Sequence, residues 1–489
     1  MRSSGVLMHM SSLPSPYGIG TMGKQAKQFV DFLEKAGQTY WQMLPICPTS
    51  YGDSPYQSPS GFAGNPYFID LDILCTKKLL KKSECRSYQW NVKDDTVDYA
   101  LLYENRYDLL RKAKVRFFEN VPQEYWQFCE KEADWLDDFA LFMALKEAQW
   151  SEWERPLKFR EAEAIAKAKD TYADEIDFWK MLQYLFFEQW CELKNYANER
   201  GIRIIGDVPI YVAGDSVDVW TNPSQFYLDE NLELIDVAGC PPDAFSADGQ
   251  LWGNPLFRWD VMREDGYSWW TMRLRKMSTL YDVIRIDHFR GFDSYYAIPG
   301  KDTTARNGVW RNGPGMELFR AVEEKLGKLD IIVEDLGFLT PSVLQLVADS
   351  GYPGMKVVQF AFDSRDDSDY MPHNYDKHCV VYTGTHDNDT ILGWMKQAPK
   401  NSVKKAKEYL RMTKEEGYNW GMMCGAWMSS ANLAVVTMQD LIGLGSSARM
   451  NIPSTLGGNW TWRALPGQIN APLANKLHHK TELYGRLRR

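Results

Sequence analysis

The sequence predicts a (β/α)8 TIM barrel with long helical and loop insertions, and three observations carry that prediction. Eight short apolar runs, rich in Val and Ile, are strung along the chain, most of them separated by segments of helical periodicity. Several of these runs end at a carboxylate, as at Asp207, Asp287, Glu334 and, after a short turn, Asp387. In a barrel the C-terminal ends of the strands carry the chemistry. The length, 489 residues, suits one large barrel with insertions or two ordinary domains.

The elements follow in order. Gly5–His9 is the first strand, and the loop SSLPSPYGIG follows it. Ala26, Phe29, Val30, Leu33 and Ala36 then recur at helical spacing, and Gly37 ends that helix. Tyr40–Ile46 is the second strand. Gly18, Gly20 and Gly23 match the dinucleotide fingerprint G-x-G-x-x-G. Eight residues, two of them proline, separate the motif from the first strand, and the second strand ends Met43-Leu44-Pro45 with no acid. A nicotinamide site needs the glycines directly after the strand and an acid on the next one, so the match is discounted.

Pro48–Asp70 is a long loop dense in Gly, Pro, Ser and Tyr. Its aromatics, Tyr51, Tyr56, Phe62, Tyr67 and Phe68, point to an ordered, functional loop rather than a disordered one. Residues 71–200 read as an inserted, mainly helical subdomain, clearest at Val97–Phe118, Glu132–Gln149 and Asp174–Arg200, with its aromatics assigned to a core. Ile202–Val208 is the third strand. Residues 209–275 form a second insertion, in which Val237–Phe257 has the Gly, Pro and Asp density of a fixed loop.

Tyr281–Asp287 is the fourth strand. Side chains two apart share a face, so Arg285 lies with Asp287 and Ile284 with Ile286. A charged pair inside so apolar a strand is either a structural ion pair or part of a working site. A helix over Gly315–Leu326 and the fifth strand, Asp330–Glu334, come next. Thr340 is a helix N-cap with Pro341 at the first helical position. Lys356–Phe360, Cys379–Tyr382 and Ala434–Thr437 complete the eight strands. Asn470–Arg489 is a closing helix, and no C-terminal β-sandwich domain follows. The whole is read as a single catalytic barrel, 1–489.

Composition narrows the function. A net charge of −9 argues against nucleic acid or an anionic membrane as partner. No apolar run reaches the roughly 18 residues of a membrane span, and the N-terminus lacks the pattern of a signal peptide. Eight scattered Cys, without C-x-x-C, suit reduced thiols in a cytoplasm rather than a zinc site. Aromatics reach 14 %, with 19 Trp and 26 Tyr, which suits a cleft that stacks flat amphipathic ligands such as sugar rings.

Asp287, Glu334 and Asp387, ringed by Asp207, Arg285, His288 and His386, suggest glycosidic bond chemistry without metal or cofactor. A retaining enzyme needs an ionised nucleophile and a protonated acid about 5–5.5 Å apart. Arg285 would keep Asp287 charged, and the apolar run before Glu334 would raise that carboxyl's pKa. Asp335 beside Glu334 and Asp389 beside Asp387 are equal candidates at this level. A His/Asp metal site is the alternative use of the two histidines.

RIDHF, VEDLG and THDND resemble motifs of the α-amylase-like barrels. SPYQSPSGFAGNP, GDVPIYV, AGCPPDAFSADGQLWGNP, YTGTHDNDT and GGNWTWR resemble the family 77 glycoside hydrolases, the 4-α-glucanotransferases. The similarity spans nearly the whole chain. It implies Asp287 as nucleophile, Glu334 as acid/base and Asp387 as transition-state stabiliser. It implies sugar contacts from Tyr56, Asp207, Asp243, Gln250, Trp252, Arg285, His288, His386 and Asn459. It further implies that the loop around Asp243–Trp252 overhangs the cleft and favours transfer to a sugar over transfer to water. The expected partners are maltooligosaccharides and α-1,4-glucans, with no cofactor; the sequence sets no oligomeric state.

Overall fold

The computed structural model describes residues 2–242, 247–337, 339–362 and 368–488. Twelve strands follow in chain order: β1 (Ser3–Leu7), β2 (Tyr40–Gln42), β3 (Arg203–Val208), β4 (Asp236–Cys240), β5 (Gln250–Pro255), β6 (Val283–Ile286), β7 (Ser294–Pro299), β8 (Val309–Asn312), β9 (Ile331–Val333), β10 (Gly354–Val357), β11 (Cys379–Tyr382) and β12 (Leu433–Thr437). Eight of them, β1, β2, β3, β6, β9, β10, β11 and β12, form a parallel sheet in which neighbours in the chain are neighbours in space. β12 returns to pair with β1.

The remaining seam lies between β9 and β10. There the Val333 N–H donates to the Pro353 carbonyl at 3.0 Å, and the Met355 N–H donates to Asp335 Oδ1 at 2.6 Å. The sheet is therefore a nearly closed (β/α)8 barrel, as the eight apolar runs predict. Strand burial is near complete, as a barrel covered on both faces requires. Its interior holds polar pairs near the tips: Tyr382 Oη donates to Gln42 Oε1 at 2.8 Å.

The strand edges differ from expectation in small ways. β6 ends at Ile286 rather than Asp287, because His288 takes a left-handed conformation (φ 52°) and turns the chain into a 3-10 turn over Phe289–Phe292. The sixth barrel strand is Gly354–Val357, and the part of the expected strand from Val358 to Phe360 belongs instead to a 3-10 helix, Val358–Phe362. Apolar content alone does not distinguish these two conformations in so short a run.

Between β2 and β3 lie helices including Tyr99–Glu119, Ala133–Leu145 and Ala173–Glu199. Their aromatics Tyr125, Phe139, Phe178 and Phe186 are fully buried. Gly20 and Gly23 of the discounted fingerprint serve close packing. A Cβ at Gly20 would sit 1.9 Å from the Met10 carbonyl, and one at Gly23 would sit 2.1 Å from Asp70 Oδ2.

The reading of Val237–Phe257 as a fixed loop is corrected. β4 and β5 are antiparallel strands of a second sheet, ordered β5-β4-β7-β8. Strand propensity there is masked by glycine. Gly239 lets the backbone of Gln250 approach to 2.2 Å of where a Cβ would stand, and Gly253 (φ 77°) sits inside β5. A register shift between Val237 and Gly239 breaks the alternation further.

Candidate active site

The site is built where β3, β6, β9 and β11 end. Register sets it. Ile286 of β6 lies opposite Val208 of β3 and Val333 of β9, so Asp287 and Glu334 follow as the next cross-strand pair. Parallel neighbours run about 4.8 Å apart, which sets the two acidic residues side by side. Main-chain bonds fix the pair: the Glu334 N–H donates to the Ile286 carbonyl at 2.9 Å, and the Asp287 N–H to the Val208 carbonyl at 3.0 Å.

Arg285 is the electrostatic hub. Its Nη1 donates to Asp207 Oδ1 at 2.7 Å and Oδ2 at 2.6 Å, and to Asp287 Oδ1 at 2.9 Å. The side chains of Arg285 and Asp207 are 3 % and 1 % exposed, whereas that of Asp287 is 28 % exposed. Arg285 and Asp207 therefore form a buried pair, and Asp287 is the member that reaches the cleft. Burial works against the Arg285 charge, but Asp207 and Asp287 more than offset it and carry its pKa well above the usual value.

Glu334 is held differently. Its Oε2 accepts the His288 N–H at 2.8 Å and its Oε1 accepts the Leu336 N–H at 2.9 Å. These bonds favour the charged form, yet burial and then the nearby Asp287 charge outweigh them and push the carboxyl from 4.5 up to about 8. The left-handed His288, a conformation costing about 1 kcal/mol for a residue with a side chain, is what presents that N–H. Burial lowers the His288 imidazole to about 4, so it is neutral at pH 7.

The neighbouring acids are committed elsewhere. Asp335 closes the barrel seam through Met355, and Asp389 bonds the Thr390 N–H, Gln397 and Ser446. That separates them from Glu334 and Asp387 as the structure, but not the sequence, allows.

Asp387 follows β11. Its Oδ1 accepts from Asn451 Nδ2 at 2.6 Å and stands 3.4 Å from His386 Nε2. Tyr56 joins the two halves of the ring. Its hydroxyl donates to Asp207 Oδ2 at 2.8 Å, and its ring stacks on His386 with centroids 5.0 Å apart. Burial and then Asp207 keep that phenol protonated far above its usual range. On the other wall Trp252 meets His288 edge to face at 4.8 Å, and the Trp252 Nε1–H donates to Gln250 Oε1 at 3.1 Å.

The structure therefore brings together Tyr56, Asp207, Gln250, Trp252, Arg285, Asp287, His288, Glu334, His386 and Asp387. Asn459 is half-buried and turned into its own loop, accepting from the Ile452 N–H at 3.0 Å and donating to the Thr455 carbonyl at 3.1 Å. Its neighbour Trp460 reaches the cluster instead, with ring centroids 5.8 Å from both Tyr56 and His386. Asp243 lies outside the described residues. Among the described residues no group of three or more His, Cys, Asp and Glu is placed to hold a metal.

The family described as 4-alpha-glucanotransferase, Glyco_hydro_77, matches residues 8–467. The chain belongs to the 4-alpha-glucanotransferase family. The 4-alpha-glucanotransferase of Clostridium butyricum is 50 % identical over 98 % of this chain and 100 % of its own length. That of Thermus thermophilus is 46 % identical over 99 % of each. The amylomaltase of Streptococcus agalactiae, solved in complex with acarbose, superposes with a TM-score of 0.97 at 41 % identity, covering 99 % of this chain and 100 % of that one. A member of the 4-alpha-glucanotransferase family is a glucan-transferring enzyme, and the resemblance drawn from the motifs is that family. No helix among the described residues is long and apolar enough to cross a membrane.

Three further residues pack against this candidate site and were not singled out from the sequence. Trp460 sits inside GGNWTWR, where a Trp flanking a Gly-rich turn is a usable signal. Tyr211, whose ring lies 6.4 Å from both Trp252 and His288, follows β3 in GDVPIYV. Asn451, in RMNIP, gives no local signal.

Proposed function

We propose that the chain moves α-1,4-glucan segments from a maltooligosaccharide or starch- or glycogen-type donor to the 4-hydroxyl of an acceptor glucan or glucose, by a retaining double displacement. The observation that carries this reading is the contrast between the two neighbouring carboxyls. Asp287 is bonded to a permanently charged guanidinium, while Glu334 is held protonated to about pH 8. A carboxyl ion-paired to an arginine beside one whose pKa is pushed up is the arrangement that a nucleophile and a general acid require.

In the first half, an Asp287 oxygen attacks the anomeric carbon as the glycosidic bond breaks, and the Glu334 proton passes to the departing 4-oxygen. In the second half, the acceptor's 4-hydroxyl attacks that carbon and displaces Asp287, giving its proton to the Glu334 carboxylate. Asp387 faces the hydroxyls of the distorted ring. Tyr56, Asp207, Gln250, Trp252, Arg285, His288 and His386 line and position the sugar, with Asp243 and Asn459 carried by resemblance alone. The complex of the Streptococcus agalactiae relative with acarbose supports a maltooligosaccharide ligand.

Transfer beats hydrolysis when the acceptor is oriented and water is kept out. The walls formed by Trp252 with His288 and by Tyr56 with Trp460 suit that task. The chain acts as one catalytic barrel, with 71–200 and 209–275 as its insertions. Eight cysteines, all of them thiols, suit work in a reducing cytoplasm.

Incubation with maltotriose tests the reading. Glucose plus a ladder of longer oligosaccharides is expected, and Asp287→Asn is expected to abolish both. Glucose and maltose alone would make the chain a hydrolase; wild-type turnover in Asp287→Asn would remove the nucleophile assignment.

A further inference from the structure

We infer that Asn451 is a positioning residue of the transfer reaction: it holds one oxygen of Asp387 so that the other is presented to the sugar. The inference rests on the reading of Asp387 given above. Asp387 follows a strand and is 44 % exposed, and an exposed aspartate's carboxyl rotates broadly about its last torsion. A carboxylate that must meet developing charge in a transition state loses effectiveness if it turns. Here its Oδ1 accepts from the Asn451 amide at 2.6 Å and faces His386 Nε2 at 3.4 Å. Among the described residues Oδ2 has no hydrogen-bond partner, which leaves that oxygen for a hydroxyl of the substrate.

Asn451 is itself braced, which distinguishes a built support from a chance contact. Its N–H donates to the His386 carbonyl at 3.1 Å. Arg449 Nε donates to the Asn451 carbonyl at 2.7 Å, and Arg449 Nη2 donates to the Asp387 carbonyl at 2.5 Å. Two segments 64 positions apart in the chain are thus cross-linked on both sides of the side-chain bond.

The residue type fits the task. An amide donates a hydrogen bond and never titrates, so it fixes the carboxylate without neutralising it. A lysine there would cancel the charge that an oxocarbenium-like transition state draws on, and a carboxyl would repel it. The other charged or titratable groups facing Asp387 are His386 beside Oδ1, the nearby Tyr56 phenol, whose proton the Asp387 charge helps to hold, and Arg449 against its backbone.

The test is a kinetic cycle on maltotriose with Asn451→Ala, Asp387→Asn and the double variant, with Asn451→Asp alongside. Asn451→Ala is expected to lower kcat by about 10- to 100-fold with KM within about threefold, as expected for a misaimed group. The double variant should be no slower than Asp387→Asn alone, because the amide acts only through that carboxylate. In Asn451→Asp the introduced carboxyl and Asp387 share a proton, and protonating the new group restores a donor. The activity of that variant should therefore recover as pH falls, displacing its optimum to the acid side of wild type. Purely structural damage would move thermal stability and leave the optimum in place. Asn451→Ala within twofold of wild type beside an inactive Asp387→Asn would overturn this inference alone, as would additive losses in the double variant. A fully active Asp387→Asn would overturn the role of Asp387 as well.

Discussion

Replacing Glu334 with glutamine should make the stability difference between variant and wild type change sign with pH. The folded state holds the Glu334 carboxyl from 4.5 up to about 8, whereas the unfolded chain releases that proton near pH 4.5. A raised carboxyl therefore contributes stability that is fully present below the unfolded pKa and is lost as pH rises towards the folded pKa. At about 1.4 kcal/mol per pH unit the full effect over that window is about 5 kcal/mol. The side chain is half-buried, and solvent screening reduces the figure to about 2 kcal/mol.

Glutamine does not carry this pH-dependent penalty, but it has a cost of its own. Both Glu334 oxygens accept main-chain N–H groups, from His288 and Leu336, and an amide nitrogen cannot accept, so one N–H loses its partner at about 1 kcal/mol. Glu334→Gln should be the less stable protein at pH 5 by about 1 kcal/mol and the more stable at pH 9 by a similar margin. For 489 residues that swing is about 2 °C in Tm. Thermal melts of both proteins from pH 5 to 9 read it directly. In parallel, wild-type kcat/KM on maltotriose should fall about tenfold per unit above pH 8 as the general acid ionises. A pH-independent difference in Tm, together with a flat kcat/KM to pH 9.5, would refute the reasoning about Glu334.

Arg285→Met strands the buried Asp207 charge and should destabilise by about 3–5 kcal/mol in chemical denaturation, with most of the loss recovered when Asp207→Asn is added. Activity should not return in that double variant, since Asp287 still lacks its guanidinium. Trp460→Ala removes a ring packed on Tyr56 and His386 and should raise KM for maltotriose about five- to tenfold with kcat little changed, read from initial rates. Asp335→Ala leaves the Met355 N–H unpaired at the barrel seam and should lower the urea midpoint by about 1–3 kcal/mol equivalent, while Asp335→Asn, which keeps an acceptor, should lose less.

Much of the barrel was legible because parallel strands covered on both faces must be continuously apolar, and runs such as DIIVE at Asp330–Glu334 and CVVY at Cys379–Tyr382 stand out for that reason. The acids at their tips were legible for the converse reason: a charge directly after such a run needs a purpose. The four-stranded sheet was not legible. Gly239, Gly253 and the proline pair 241–242 break the alternation that identifies a strand, and the pairing that compensates comes from β7, some 60 residues downstream. The choice of Glu334 over Asp335 was likewise invisible, because both follow the same apolar run and only the seam at Met355 gives Asp335 other work. Asn451 and Trp460 depend on contacts with His386, Asp387 and Tyr56 that no local pattern encodes.

The stretch from Arg449 to Ala464 ties together four distant parts of the chain. It braces Asp387, packs Trp460 on Tyr56, bridges Trp462 to Thr96 of the helical insertion, and hydrogen-bonds the Ala464 N–H to the Ser12 carbonyl near the first strand. On the ribosome this stretch emerges after more than nine-tenths of the chain. A nascent polypeptide stalled before it would have the nucleophile and the acid already made, yet neither the brace on Asp387 nor the aromatic wall, and so should be inert towards sugar until synthesis is almost complete.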